Sequence, residues 1–152
     1  MSNENLKQRT KKFALDVIKL TEALPNDRTS NIIGGQLLRS GTSVGANYRA
    51  ACRAKSPADF ISKMGIVEEE ADESSYWVEL LVDAGKLKAD KAEPLRRESG
   101  ELVAISVASI RTARRTSARM PGRASARATP ISALRTPHSA QPIPHSAFRT
   151  PH

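Results

Sequence analysis

The first residues of this chain whose type and spacing could do chemistry are four glycines between positions 34 and 45. Gly34, Gly35, Gly41 and Gly45 lie in a segment with Ser and Thr between them, and glycine-rich loops can bind phosphate through backbone N–H groups. A Walker-type loop also needs a preceding strand and a closing Gly-Lys-Ser/Thr, and the segment shows neither. Gly41 and Gly45 stand one helical turn apart, which favours close packing of two helices over nucleotide binding.

The second candidate is an acidic run, because residues 68–73 read EEEADE. A carboxylate-bridged di-iron bundle needs Glu-x-x-His pairs on facing helices, and no histidine precedes His138. The same absence argues against a zinc site and against a Ser–His or Cys–His nucleophile. We therefore expect no enzymatic activity, no metal and no cofactor. Glu70 and Glu73 lie beside an apolar stripe, and we expect them to form a buried structural ion pair with Arg39 of the adjacent helix.

The elements that must position these residues are four helices. Apolar residues recur at helical spacing in four segments that are bounded by proline, glycine or N-cap residues. The segments are about residues 5–24, 30–53, 57–84 and 90–114. The third has the most regular stripe, at Phe60, Met64, Val67, Ala71, Ser74, Val78 and Leu81. Short turns between the segments predict an all-α fold, an antiparallel up-and-down four-helix bundle.

A change of composition near residue 115 predicts two domains, a bundle over residues 1–115 and a tail over residues 116–152. All 16 acidic residues lie at or before Glu101, whereas the tail carries basic residues and no acidic one. It ends in three related heptapeptides, SALRTPH, SAQPIPH and SAFRTPH. Each unit contains proline and few large apolar residues, so we expect the tail to be disordered. Either an in-frame read-through of repeated DNA or a selected function accounts for it.

The compartment follows from what the sequence lacks. The polar N-terminus shows no secretory signal, no segment has the apolar length of a membrane helix, and Cys52 is the one cysteine. We expect a soluble, cytoplasmic protein without disulfides, in which Cys52 is a small buried residue.

Basic residues are expected to gather at one end of the bundle, where the start of the first helix, the turn after the second and the end of the fourth meet. Cations near helix C-termini are also favoured by the helix dipole, but those at the start of the first helix are not. A polyanion, RNA or single-stranded DNA, is the partner that this charge predicts. The alternative is a protein–protein adaptor, or a passive product of a mobile element, whose charge only keeps it soluble. The predicted nucleic-acid-binding residues are Lys7, Arg9, Lys11, Lys12, Arg49, Arg53, Lys55, Arg111, Arg114 and Arg115.

Three motifs carry a resemblance to a known family. They are Leu-Arg-Ser-x-Thr-Ser-Val-x-Ala-Asn at residues 38–47, Asp59-Phe60 with Lys63-Met64, and Glu70-x-x-Glu73-x-x-Tyr76-Trp77. Over about residues 5–115 the chain resembles the 23S rRNA intervening-sequence proteins, whose fold also occurs in accessory proteins of diversity-generating retroelements. The resemblance implies a homopentamer without an assigned activity, and nucleic-acid binding is described for the retroelement relatives. The charge-free segment 102–110 independently predicts an oligomer, because a helix that is apolar all round must be covered on both sides.

Overall fold

The computed structural model describes residues 3–119, and every regular element in that part of the chain is a helix. The elements are α1 (Asn3–Glu22), α2 (Arg28–Ala51), α3 (Pro57–Asp83) and α4 (Ala89–Arg119). Each helix packs against the next one in sequence, and α1 also meets α4. Short turns make neighbouring helices antiparallel. The predicted all-α, antiparallel four-helix bundle is confirmed.

The last helix is longer than the sequence predicted. α4 runs to Arg119, beyond the expected domain boundary at residue 115. Thr116 and Ser117 continue the helix, and their hydroxyls donate hydrogen bonds to the carbonyls of Thr112 and Ala113 at 3.0 and 2.9 Å. The rest of the predicted tail, residues 120–152, lies outside the described residues, so its disorder stays a prediction.

The helices begin and end at residues whose side chains explain the boundaries. Asp27 caps α2 by accepting a hydrogen bond from the backbone N–H of Ser30 at 3.0 Å. Ser56 caps α3 in the same way, and Pro57 follows it at the first helical position, where proline loses no helical hydrogen bond. Gly85 has a φ of 67°, the left-handed conformation that commonly ends a helix.

The core is formed by the apolar faces of all four helices. In α3 the buried residues follow the predicted stripe from Met64 to Leu81. In α4 the helical spacing of the sequence predicts a buried stripe at Leu95, Leu102, Ile105 and Ser109. Its C-terminal half is wrong, because Ser106 and Ile110 are buried whereas Ile105 and Ser109 are only half-buried. The segment 102–110 contains no charged residue, so its sequence does not mark the side that faces the core.

Hydroxyl groups link helices across this core. Ser40 of α2 and Ser74 of α3 are fully buried, and their Oγ atoms lie 2.9 Å apart. Ser99 of α4 is buried as well and donates a hydrogen bond to the Ala71 carbonyl of α3. These polar contacts satisfy buried groups that would otherwise destabilise the interior, and they favour one alignment of α2, α3 and α4.

The glycines of α2 bring this helix close to α1. A Cβ atom added at Gly41 would lie 2.6 Å from Cγ2 of Val17, well inside van der Waals contact. At Gly45 it would lie 3.4 Å from the carbonyl oxygen of Thr10, at the limit of ordinary contact. Both glycines therefore face α1, with the tighter contact at Gly41. The glycine segment lies within a continuous helix, so it does not form a phosphate-binding loop.

Candidate nucleic-acid interface

Three chain segments meet at one end of the bundle. A cavity there is lined by Leu6 near the start of α1, by residues 54–57 at the α2–α3 turn and the start of α3, and by Ala113, Thr116 and Ser117 near the end of α4. This is the meeting that the up-and-down topology predicts. We call this region the basic end and define it by Lys7, Arg49, Arg53, Lys55, Arg111, Arg114, Arg115 and Arg119. The predicted binding residue Lys11 is exposed one turn farther along α1, two residues beyond Arg9, which contacts Glu98 of α4.

Most cations of the basic end have no ionic partner. All except Lys7 are exposed, and within residues 3–119 none of these exposed side chains lies within 4.0 Å of a carboxylate oxygen of Asp or Glu. Arg119 was missed from sequence because it was assigned to the tail. Its signal was available, since threonine, serine and alanine between Arg115 and Arg119 do not end a helix.

Lys7 differs from its neighbours because it has a partner. Its Nζ lies 3.5 Å from a carboxylate oxygen of Glu4. A hydrogen bond from Gln8 and the charge of Lys7 lower the pKa of Glu4, and Arg49 adds to the effect from a greater distance. Glu4 therefore neutralises part of the charge at this corner of the basic end.

Arg9 and Lys12 lie away from the other predicted binding residues, in a groove between α1 and α4. Arg9 donates hydrogen bonds to both carboxylate oxygens of Glu98, at 2.5 and 2.9 Å, and the bond to Glu98 raises the pKa of the guanidinium. Lys12 lies 2.5 Å from Asp16. The groove has a volume of about 570 Å³, and its other cations are Lys19, Lys91 and Arg97. Arg9 thus ties α1 to α4, and its charge is compensated.

The predicted ion pair between α2 and α3 forms between the expected residues, but it is less buried than expected. Arg39 reaches Glu70 at 3.3 Å and also contacts Glu73. The Arg39 side chain is 48% exposed and that of Glu70 is 16% exposed, so the prediction of a buried pair was wrong for the arginine. Arg39 lies outside the buried stripe of α2, and only its long side chain crosses to α3.

An indole completes this surface network. Trp77 donates its Nε1–H to Glu73 at 2.9 Å. The hydrogen bonds from Arg39 and Trp77 lower the pKa of Glu73. Tyr76 packs edge-to-face on Trp77, with ring centroids 4.9 Å apart, and is itself half-exposed. Glu70 and Glu73 are thus held in a structural network with Arg39 and Trp77, in which both bonds to Glu73 end on the same oxygen, Oε1.

The cavity at the basic end results from the unequal lengths of α4 and α1. α4 has 31 residues and α1 has 20, so α4 is about 16 Å longer at about 1.5 Å per residue. Leu20 of α1 shares the α1–α4 groove with Lys91 and Pro94, so the two helices are level at the other end. The extra turns of α4 therefore project at the basic end, where α1 does not cover them.

The cavity has a volume of about 780 Å³ and mostly apolar walls. Tyr48 is buried in its wall, and burial, with Cys52 beside it, raises the pKa of the phenol well above its usual value. Cys52 itself is only half-buried, whereas the sequence predicts a small buried residue. Lys55 is the one charged residue among those that line the described part of the cavity.

Residues 3–119 contain neither a candidate metal site nor a helix that could span a membrane. Among residues 3–119, no three His, Cys, Asp or Glu side chains are grouped so that they could hold a metal ion. In the same part of the chain, none of the helices has the length and apolarity required to cross a membrane.

Comparisons with known proteins identify relatives. The family model described as 23S rRNA-intervening sequence protein matches residues 3–108. Among solved structures, the chain is similar to a protein of unknown function from the S23 ribosomal protein family of Bacteroides thetaiotaomicron, with 35% sequence identity and a TM-score of 0.68. That alignment covers 73% of this chain and 99% of the other. No curated protein matches the chain.

Proposed function

Since this chain belongs to the 23S rRNA-intervening sequence protein family, we propose that it is a non-enzymatic, oligomeric protein that binds RNA through the phosphate backbone at its basic end. The observation that carries the proposal is a group of exposed arginines, at the end of α4 and around the α2–α3 turn, that have no carboxylate partner among residues 3–119. A surface of that kind attracts a polyanion without reading its sequence.

Compensation of the helix dipole explains only part of this charge. The effect is confined to the last turn of a helix, where it accounts for Arg49 and Arg119. Arg111 and Arg114 lie more than one turn before the end of α4, so they gain little from it. Their positive charges repel one another, and no carboxylate of the described residues lies within 4.0 Å to offset them. Phosphate groups of a nucleic acid would supply that offset.

At the start of α1, the helix dipole disfavours the cations less than the sequence suggested. The described part of α1 begins at Asn3, so Lys7 and Lys11 lie beyond its first turn. The unfavourable dipole acts within the first turn and hardly reaches them. The proposal therefore depends on the α4 and turn arginines rather than on the cations of α1.

Matched charge reversals test the proposal. One triple variant changes Arg53, Arg111 and Arg115 to Glu, and the control changes Lys19, Arg28 and Lys88 at the other end, which are also exposed and make no ion pair among residues 3–119. Each triple lowers the formal net charge of +8 by six. Anisotropy titrations with a structured RNA at several salt concentrations should show a large loss of affinity for the first triple only. Its salt slope should fall by about 2–3, at about 0.7–0.9 per lost phosphate contact.

Three outcomes decide the result. Loss of binding in the first triple alone supports the basic end as the RNA site. Equal loss in both triples would mean that net charge, and not this surface, attracts the RNA. Wild-type protein that fails to bind RNA at low salt would overturn the proposal. The repeat tail is present in all three proteins, so it cannot produce a difference between them.

The oligomeric part of the proposal is supported by uncovered apolar surface. In the charge-free segment 102–110, Ala104 and Ala108 are exposed and Val103 and Val107 are half-buried. A helix without a polar side is expected to be covered by a second subunit, and the family resemblance makes a homopentamer the specific expectation. Light scattering at micromolar concentration should give the pentamer mass, and a monomer mass would exclude it.

A protein–protein adaptor is the second candidate function. It is favoured by large apolar side chains that lie exposed on the outer faces of α1, α2 and α3, namely Leu15, Ile32, Leu38, Ile66 and Tyr76. Exposed apolar surface of this kind marks interaction sites when it is contiguous. If the titration shows no RNA binding, the protein–protein adaptor becomes the favoured function.

A further inference from the structure

We propose that the cavity at the basic end receives one unpaired nucleobase of the strand whose phosphates the surrounding arginines bind. The inference rests on the proposed function and deepens it, because it predicts a preference for single-stranded nucleic acid. The cavity lies between the start of α1, the α2–α3 turn and the projecting end of α4. Its volume of about 780 Å³ is within the range of about 300–1,000 Å³ that small-molecule sites occupy.

The walls of the cavity suit a flat aromatic ring. Leu6, Tyr48, Phe60 and Ile105 supply apolar surface. Phe60 and Ile105 are only half-buried, so both present part of their side chains to the cavity opening. A base that leaves water for such a surface gains stacking on an aromatic side chain and burial of its apolar faces.

The rim provides hydrogen-bond acceptors. Ser109, Thr116 and Ser117 line the cavity on the α4 side. Their hydroxyls donate to carbonyls of their own helix, at 2.8, 3.0 and 2.9 Å. The hydroxyl hydrogens are therefore used, whereas lone pairs on the oxygens remain available. Acceptors of this kind fit the exocyclic amino group of a base such as cytosine.

The charges around the cavity favour a negatively charged ligand, such as a nucleotide, over a neutral or a basic one. Lys55 is the one charged residue of the described lining. Arg53 and Arg115 are exposed and adjoin lining residues in the sequence. The carboxylate of Asp59 is engaged by Lys63 and by the backbone N–H of Lys55 at 2.9 Å. A base in the cavity would thus have its phosphates next to uncompensated cations.

The test compares RNA strands with equal numbers of phosphates. Full-length protein is titrated with a short oligocytidylate and with an abasic strand of the same length, and binding is followed by anisotropy. We expect the wild type to bind oligocytidylate about tenfold more tightly, which corresponds to about 1.4 kcal/mol and lies within the stacking range for one base. Both affinities should fall with salt, since the phosphate contribution is common to both strands.

Two variants remove the site without touching a cation. Ala113→Trp fills the cavity from α4, and Phe60→Leu removes the ring but keeps an apolar side chain. Both should abolish the preference for oligocytidylate and leave abasic binding unchanged. The control is Ala118→Trp, an exposed position of α4 outside the cavity lining, which should keep the preference. Thermal melts identify a variant that fails to fold, and the other variant then decides.

The remaining outcomes separate this inference from the function on which it rests. Equal, salt-sensitive binding of the two strands by the wild type overturns the nucleobase site and leaves phosphate binding intact. Binding of neither strand overturns both. If Ala113→Trp lowers the oligomer mass in light scattering while Ala118→Trp does not, a second copy covers the cavity and the nucleobase proposal is wrong.

Discussion

The two ends of the bundle use charge differently. At the end opposite the basic end, Lys86 of the α3–α4 turn lies 3.0 Å from the Asp27 carboxylate in the α1–α2 turn, so one ion pair joins both turns. Asp27 also caps α2. At the basic end, Arg53, Arg111 and Arg115 have no such partner among the described residues. We call the first of these the paired end, defined by Asp27 and Lys86.

This difference separates stability from binding. A charge that serves as a cap and as a bridge stabilises the fold, and its loss is felt by the helices that it joins. A charge that has no partner and lies outside the last turn of a helix contributes little to the stability of the monomer and remains available to a ligand. We therefore expect substitutions at the paired end to change the melting temperature, and substitutions at the basic end to change RNA affinity.

The largest expected effect on stability comes from a position between the two ends. Gly41→Leu places a side chain where even a Cβ would lie 2.6 Å from Val17, and overpacking of this kind costs about 1–3 kcal/mol. Because α1 and α2 extend to both ends of the bundle, helicity and RNA binding should be lost at the same temperature. Circular dichroism melts provide the measurement.

Gly35→Ala is the matched control on the same helix. An added Cβ at Gly35 meets no atom within 4 Å, and alanine is favoured over glycine in a helix by about 1 kcal/mol. It should raise the melting temperature. A Gly41→Leu protein as stable as the wild type would contradict the close contact between α1 and α2.

The next effect should be confined to the paired end. Asp27→Ala removes the cap of α2 and the bridge to Lys86, so it should lower the melting temperature clearly while RNA affinity at 25 °C stays unchanged. Asp27→Asn should lower it less, because asparagine also caps helices but cannot pair with Lys86. Equal melting temperatures for the two variants would show that the charge, and not the cap, carries the stabilisation. Reduced RNA affinity in either variant would contradict the assignment of stability to the paired end and of RNA binding to the basic end.

A smaller effect is expected from acid. Hydrogen bonds from the Ser30 backbone and from Lys86, with the charge of Lys86, lower the pKa of Asp27 from 3.8 to about 2. A carboxyl with a lowered folded-state pKa stabilises the protein fully above its unfolded value, and this contribution is lost as the pH falls from about 3.8 through about 2. NMR titration of the Asp27 carboxyl should give the low value. In Lys86→Ala the pKa should rise, and an unchanged pKa would contradict the bridge.

The smallest stability effect should come from the basic end. The changes Arg111→Ala, Arg114→Ala and Arg115→Ala remove exposed side chains without ion pairs among residues 3–119, and such surface substitutions usually stay within about 0.5 kcal/mol each. Alanine also favours the helix, so the melting temperature should stay level or rise slightly. A marked decrease would show that these arginines have a structural partner, for example in another subunit, and light scattering would then test for it.

Sequence reasoning succeeded where polar and apolar residues alternate at helical spacing. In α3, a charged residue adjoins every buried position except Leu81, so the stripe from Met64 to Leu81 was predictable. In the 102–110 segment of α4 that contrast is missing, and the buried side was misplaced by one residue. The cap at Ser56-Pro57 was predictable because two local signals agree, whereas Asp27 was overlooked as the cap of α2.

The candidate site was less predictable than the fold. Its residues were identified from topology alone, which places chain segments at an end but does not say where each side chain points. Arg9 faces Glu98 and Lys12 pairs with Asp16 in the α1–α4 groove, a result of the rotation of α1 about its axis. The cavity could not be foreseen, since it depends on the difference in length between α1 and α4.

By itself, the sequence determined the class of fold, the order of the four helices and the excess of positive charge, because hydrophobic period, capping residues and composition are local properties of the chain. Only the tertiary structure decided which charges are compensated. A carboxylate 89 positions away in sequence neutralises Arg9, while Arg111 has no partner among the described residues. Pairing depends on distances of a few ångströms between side chains on different helices, and these distances exist only once the helices have packed.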